Sequence, residues 1–191
     1  NIGSKRHLHS GEWVFIQDFP NIYRQKIKTK YERMISKAKS EIIIETPYFF
    51  PVHNLRKHLC EAVQRGVNTI VVMPIHSDVK FVDIIRRHYL GILHQAGVKI
   101  YFYTQSNLHS KGLMIDNQIF SISSANFDYR SFRYQYELAL IGEETSMIPQ
   151  LRQHFDSTLK HCTSFNYQEW KNRSIFKRLS EVILLPFRYL F

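Results

Sequence analysis

Apolar positions first settle into a helical rhythm between residues 22 and 40. Ile22, Ile27, Tyr31, Met34, Ile35 and Ala38 fall near one stripe, and the opposite face is rich in Lys and Arg. A short β-branched run, Glu41 to Thr46, predicts a buried strand, and Pro47 and Pro51 bracket the turn after it. A helical pattern over Asn54–Arg65 ends at Gly66, and Val67–Met73 is a second buried strand closed by Pro74. Asp78 is placed to cap the next helix, whose apolar positions are Phe81, Val82, Ile85, Tyr89 and Leu93. Gly97 ends that helix, and Val98–Tyr103 is the third strand. Such alternation predicts an α/β fold with a mixed, largely parallel β-sheet flanked by helices. A hairpin over 108–124 breaks the alternation, a strand is expected over Tyr134–Ile141, and a helix from Glu143 to about Lys160.

The ends of the chain read differently. Residues 1–21 carry Gly3, Ser4, Ser10, Gly11 and Pro20 with weak periodicity, which predicts a linker before a domain at 22–165. Over 166–191, Ile175, Phe176, Leu179, Val182, Ile183, Phe187 and Leu190 share roughly one helical face. Lys171, Arg173, Lys177, Arg178 and Arg188 lie mostly off it. A basic amphipathic C-terminal helix with aromatics suits a membrane interface; docking on its own domain is the other possibility.

Charge sharpens this. Among 191 residues, 26 Lys+Arg against 16 Asp+Glu give +10, a field that favours polyanions, either nucleic acid or an anionic lipid surface. With 44% apolar residues the chain is globular, and no apolar run is long enough to span a bilayer. Cys60 and Cys162 lack CxxC spacing, so neither a zinc site nor a disulfide framework is indicated. No signal-peptide pattern is visible, and the chain starts at Asn1 rather than Met, which suits a piece of a longer protein.

The chemistry concentrates in LHSKGLMIDNQIFSISSANFDYRSFRYQYEL, residues 108–138. Side chains two apart on a strand share a face, so His109 pairs with Lys111 and Ser124 with Asn126. A tight turn at Asp116-Asn117 would bring all four together as a cradle for phosphate. Neutral His109 is a nucleophile for phosphorus, Lys111 a counter-charge for a non-bridging oxygen, and Ser124 and Asn126 hydrogen-bond donors. Glu137 suits an imidazole partner, Asp116 is expected to fix the turn more than to meet substrate, and Arg130 to act as a tether more than a phosphate ligand.

His109, Lys111 and Asp116 follow the H-x-K, four residues, D spacing, with Ser124, Asn126 and Glu137 after it. This resembles the HKD signature of the phospholipase D superfamily. It departs at Ser123, usually Gly, and at Gln135, often Asn. Glu45-Thr-Pro-Tyr-Phe-Phe-Pro51 and the stretch from Leu93 into Lys111 resemble the C-terminal half of bacterial cardiolipin synthases; Val52 stands where an acidic residue is often found.

The resemblance implies a phospholipase D-like half-domain, working without cofactor or metal through a phosphohistidine. The implied catalytic set is His109, Lys111, Asp116, Ser124, Asn126 and Glu137, with Tyr48, Phe49 and Arg130 on the substrate side. It further implies a phosphatidyltransferase making cardiolipin from two phosphatidylglycerol molecules at a bacterial cytoplasmic membrane. None of the other nine histidines has Lys two residues later. The leaving alcohol needs an acid, which the family supplies as a second HKD histidine. That half-site is expected from a missing N-terminal region or from an identical chain, with Glu137 serving its histidine. The alternatives are a phospholipase D-type hydrolase, a single-HKD nuclease acting as a homodimer on nucleic acid, and a degenerate scaffolding half.

Overall fold

The computed structural model describes residues 13–105, 108–143 and 145–190. Among these, eight strands form one sheet in the order β1-β7-β6-β5-β2-β3-β4-β8. The strands are β1 (Trp13–Asp18), β2 (Glu41–Glu45), β3 (Asn68–Pro74), β4 (Lys99–Tyr103), β5 (Gly112–Ile115), β6 (Ile119–Ser123), β7 (Glu137–Gly142) and β8 (Cys162–Ser164). The helices are α1 (Lys26–Lys37), α2 (His53–Gln64), α3 (Lys80–Gln95), α4 (Tyr129–Tyr134), α5 (Met147–Leu159), α6 (Tyr167–Lys171) and α7 (Ile175–Leu184). A 3-10 turn, Leu185–Leu190, follows α7.

The sheet is mixed, as expected, but it is mostly antiparallel. Only β2–β3 and β3–β4 pair in parallel; the other five pairings are antiparallel. Helical crossovers force parallel pairing only over residues 41–103. The hairpin, β7 and the two edge strands then return the other way.

Strand alternation splits the core between two faces. Ile42, Ile44, Val71, Met73, Leu113 and Ile115 pack under α1, α2 and α3. On the other face Ile43, Val72 and Met114 meet Leu151, Phe155 and Leu159 of α5. Both faces are covered, which is why these strands read as continuous apolar runs.

Several elements depart from the sequence expectations. Trp13–Asp18 is an edge strand paired with β7, not linker; residues 1–12 of the expected linker lie outside the described residues. Asp18 is buried and accepts the backbone N–H groups of Lys26 and Ile27, both at 2.9 Å. It thereby caps α1 from another element, because Gln25 at the cap supplies no side-chain bond. Ile22 is exposed and takes no part in the α1 stripe. Asp78 does not cap α3, which starts behind Val79; its carboxylate accepts the hydroxyl of Tyr48. Asp128 was not expected to start a helix, yet it caps α4 through the N–H of Ser131 at 2.7 Å.

The C-terminal segment docks through part of its surface. Trp170 donates its indole N–H to the carbonyl of Arg87 and lies against Gly91 of α3. Glu181, fully buried, takes two bonds of 2.8 Å from the Arg173 guanidinium. Leu184 and Leu185 pack near Val82 and Ile85. Ile175, Phe176, Leu179, Val182 and Ile183 stay exposed, Phe176 at 79%. The segment therefore docks and also presents an apolar face outward. No described helix is long and apolar enough to cross a membrane.

Candidate active site

Strand register gathers the polar motif on one edge of the sheet. Glu45, at the end of β2, pairs with Gly112, at the start of antiparallel β5. Ser123 at the end of β6 pairs with Ala139 near the start of β7. Residues 109–111, 123–126 and 137 therefore sit beside the carboxyl ends of β2 and β3, where open α/β sheets usually bind ligands.

His109, Lys111, Ser124 and Asn126 flank the hairpin strands rather than lying within them. The N–H of Ser123 donates to the carbonyl of Lys111 at 3.0 Å and holds the two arms together. Lys111 Nζ lies 3.3 Å from His109 Nδ1 and donates to the His109 carbonyl at 2.8 Å. Burial pulls the Lys111 ammonium below its ordinary value, against the attraction of Glu137 and Asp128. Ser124 Oγ donates to the buried carboxylate of Glu137 and accepts the N–H of Leu138 at 3.0 Å. Asn126 is held through its N–H to Ser131 Oγ at 3.1 Å, and its buried Oδ1 has no partner.

A cavity of about 540 Å³ opens here, lined by His109, Lys111 and Ser124 together with Glu45, His154 and Phe155. Its walls combine hydrogen-bonding and cationic groups with an apolar side, which suits an amphiphilic phosphodiester.

Of the expected site residues only His109, Lys111 and Ser124 line this cavity; Asn126 and Glu137 are tied beside it through Ser131 and Ser124, and four others stand elsewhere. Asp116 occupies the far tip of the hairpin, about 14 Å from its open end across a four-residue strand. Asp116 and Asn117 both have positive φ, 55° and 54°, as a tight two-residue hairpin turn requires. The Asp116 carboxylate accepts the N–H groups of Lys39, Ser40 and Glu41 at 2.7–3.1 Å and the Ser40 hydroxyl. Burial acts to raise its pKa, but these bonds outweigh that and hold it below the usual carboxylate value. Its role is to fasten the turn to β2; it does not reach the cavity. Phe49 does not face substrate either: it is 0% exposed in the core beside Phe127. Tyr48 is half-buried outside the cavity, and burial together with its bond to Asp78 pushes its phenol up to about 12. Arg130 is exposed; in the orientation of Gln135 that satisfies its neighbours, that amide accepts from Arg130 Nε at 3.3 Å and donates to Glu137 at 3.1 Å.

Two cavity residues escaped the sequence reading. Glu45 was read as the end of an apolar strand and the first residue of the Glu45–Pro51 segment but given no role, although a carboxylate closing such a run is itself a sign of a buried charge. His154 gave no sequence signal, since it reaches Glu45 across 109 residues of chain. Cys60 and Cys162 are free thiols, and burial and Glu45 push Cys162 up to about 11. Among the described residues no cluster of His, Cys, Asp and Glu has the arrangement of a metal site.

The sheet order and the clustered His, Lys, Ser, Asn and Glu define a phospholipase D-like domain. Residues 31–159 match the family described as "Cardiolipin synthase, PLD-like domain". The chain belongs to that family. It is 34% identical over 165 residues to a cardiolipin synthase of Clostridium perfringens, covering 86% of this chain and 35% of the relative. It is 32% identical over 164 residues to the major cardiolipin synthase of Bacillus subtilis, covering 86% of this chain and 34% of that one. The chain thus spans about a third of the length of the curated relatives it matches.

Solved structures agree on the fold. The phospholipase D family member Nuc from Salmonella typhimurium superposes with a TM-score of 0.68 at 18% identity, over 81% of this chain and 99% of that one. A phosphatidylserine synthase from Haemophilus influenzae gives 0.73 at 11% identity, over 93% of this chain and 45% of that one.

Proposed function

We propose that this chain is one catalytic half of a phosphatidyltransferase of the cardiolipin synthase kind. The observation that carries the reading is the placement of His109, Lys111 and Ser124 around one cavity in a chain of this family. His109 attacks the phosphorus of phosphatidylglycerol, the glycerol leaves, and a phosphohistidine remains. The ammonium of Lys111, which rests against His109 Nδ1, turns to a non-bridging oxygen as the phosphate arrives. The Asn126 amide, and the Ser124 hydroxyl once it turns from Glu137, add hydrogen bonds to the phosphoryl oxygens. A second phosphatidylglycerol then resolves the intermediate through its hydroxyl, giving cardiolipin.

The departing glycerol takes its proton from a histidine of a second half-site. That half comes from another region of a longer protein or from an identical chain, and the span of about a third of the relatives supports such a pairing. Glu137 orients the histidine of that other half. The exposed apolar face of α7 and the neighbouring cations suit an anionic bilayer, which supports reading the enzyme as one that works at a bacterial membrane.

The test incubates the protein with phosphatidylglycerol vesicles and, in parallel, with single-stranded DNA. Cardiolipin or phosphatidic acid formed only when His109 is intact supports the reading. DNA cleavage with inert lipid replaces it with a nuclease whose +10 charge serves nucleic acid.

A further inference from the structure

The face of α1 turned away from the core carries a run of positive charge that the active site does not use. Lys26, Lys30, Arg33 and Lys37 recur every three or four residues, on a stripe opposite the buried Ile27, Tyr31, Met34 and Ile35. A groove of about 490 Å³ is lined by Tyr23, Arg24, Lys26, Lys30 and Arg33, and by no carboxylate. Among the described residues none of these five cations has an ion pair or a side-chain hydrogen bond, whereas Lys28 on the next row pairs with Glu32 at 3.4 Å. The first turn of α1 holds no acidic residue. Like charges three and four apart repel, and Lys26 meets the positive end of the helix dipole, so the stripe lowers the stability of α1. An anionic partner reverses that penalty.

The groove opens beside apolar side chains that are likewise turned to solvent. Between β1 and α1, Phe19, Ile22 and Tyr23 are exposed, Tyr23 at 89%, and so are Tyr134 and Tyr136 after α4. The two loops are tied together: the rings of Phe19 and Tyr136 meet edge-on at 5.7 Å, and the Asn21 N–H donates to the Arg133 carbonyl at 2.9 Å. Asn21 Oδ1 accepts the N–H groups of Tyr23 and Arg24 at 2.7 and 3.0 Å, which holds the loop in shape. Tyr136 directly precedes Glu137, which pairs with Asp18, so these rings lie at the end of the sheet that carries the His109 cavity. The 3-10 turn after α7 runs alongside α4, which links this surface to the C-terminal segment. We propose that the loop pair and the first two turns of α1 form a second bilayer-docking surface. The rings and Ile22 enter the headgroup boundary, and Arg24, Lys26 and Lys30 meet anionic headgroups. A bilayer is the occupant because tyrosines and apolar side chains beside cations match its apolar-to-anionic boundary. A lipid that keeps its chains in the bilayer also reaches His109 only when that end of the sheet faces the membrane. From this end α1 runs towards the hairpin tip, where Asp116 accepts the N–H of Lys39. Lys37 therefore stands about 16 Å behind Lys26, beyond the screening length of about 8–10 Å. A nucleic acid lying along the helix would engage the whole stripe, whereas a bilayer engages its start. The proposal rests on the lipid reading and adds the orientation of the domain on the membrane.

The experiment floats the protein with vesicles of phosphatidylcholine and phosphatidylglycerol in equal parts, and measures melting temperature and binding of single-stranded DNA alongside. K26E and K30E should each weaken vesicle binding about fivefold or more, the factor for one cation near an anionic surface. Their melting temperatures should hold or rise, because each reversal relieves repulsion within α1. K37E should change vesicle binding by less than about twofold. I22S with Y23S, both at exposed positions, should weaken it about tenfold. Unchanged flotation in K26E, K30E and I22S/Y23S overturns the proposal, and so does a loss in K37E equal to that in K26E. DNA binding that all three reversals weaken while flotation holds overturns it in favour of a nucleic-acid surface. Flotation needs no turnover, so the two readings fail separately. Protein that floats as expected but leaves phosphatidylglycerol unconverted supports the surface and sinks the enzymatic reading. Protein that makes cardiolipin while its flotation ignores these variants overturns the surface alone.

Discussion

Ser124 and Glu137 are joined side chain to side chain, the hydroxyl donating to a carboxylate that is itself almost wholly buried. Ser124 directly follows β6 and Glu137 opens β7, so this bond ties the end of the phosphate cradle to the next strand. The single hydroxyl proton of Ser124 is thus committed to Glu137 before any substrate arrives and must turn from that carboxylate to meet a phosphoryl oxygen.

If His109 is the nucleophile, H109A should reduce glycerol release from phosphatidylglycerol vesicles by roughly 10³-fold or more, and K111M by about 10²–10³-fold. His109 is exposed and Lys111 half-buried, so both variants should keep the native melting temperature. Activity surviving in H109A would move the nucleophile elsewhere.

Asp116 serves the fold and not the chemistry. D116N should destabilise the domain by about 1–3 kcal/mol, the range for hydrogen bonds to a charged group, with turnover per folded molecule little changed. Its carboxyl lies below its ordinary value when folded. The stabilisation is therefore present above the unfolded carboxyl's pKa and is lost as pH falls through the lower folded value. Urea titrations at pH 7 and pH 3 should show the wild type losing more than D116N on acidification.

Asp128 behaves in the opposite sense. Burial, helped by Glu137 and opposed by Ser131 and Arg130, pushes its carboxyl up from 3.8 to about 6. The unfolded chain releases this proton first, so folding loses stability as pH rises from about 4 to about 6. D128N keeps a capping oxygen for Ser131 and removes the buried charge. It should be more stable than wild type at pH 7.5 by on the order of 2–3 kcal/mol, with the difference shrinking by pH 4. A difference independent of pH would place the titration elsewhere.

Gly91 is where the C-terminal segment meets the domain. A Cβ there would stand 2.0 Å from Trp170 Cζ2, so G91A should lever α6 off α3 at a cost of about 1–3 kcal/mol. Limited proteolysis should then cut near residue 172 sooner than in wild type, with the core of the sheet unaffected.

The outward face of α7 is expected to bind membranes. F176E with I183E should weaken binding to anionic vesicles at least tenfold, given about 1.5–3 kcal/mol for each large apolar side chain buried. Salt should weaken wild-type binding as it screens the cations. Vesicle flotation at two ionic strengths reads both effects; unchanged flotation would mean the face serves something else.

Much of this was legible in local chemistry. The β-branched runs at 41–46 and 67–73, the glycines at 66 and 97 with positive φ, and the Asp-Asn turn are decided by residues close in sequence. The HKD spacing likewise marked His109, Lys111 and Ser124 before any tertiary contact was known, because a hairpin converts spacing into proximity.

Long-range pairing decided the rest. Trp13–Asp18 becomes a strand only because β7, more than a hundred residues later, offers it an edge. The predominance of antiparallel pairing follows from where β5, β7 and β8 insert, which no local period encodes. Phe49 belongs to the core and His154 to the cavity for the same reason: burial and contact depend on what the far chain brings alongside. Hydrophobic patterning is a property of neighbours a few residues apart. A carboxylate such as Glu45 acquires its partner only when α5 closes over the sheet.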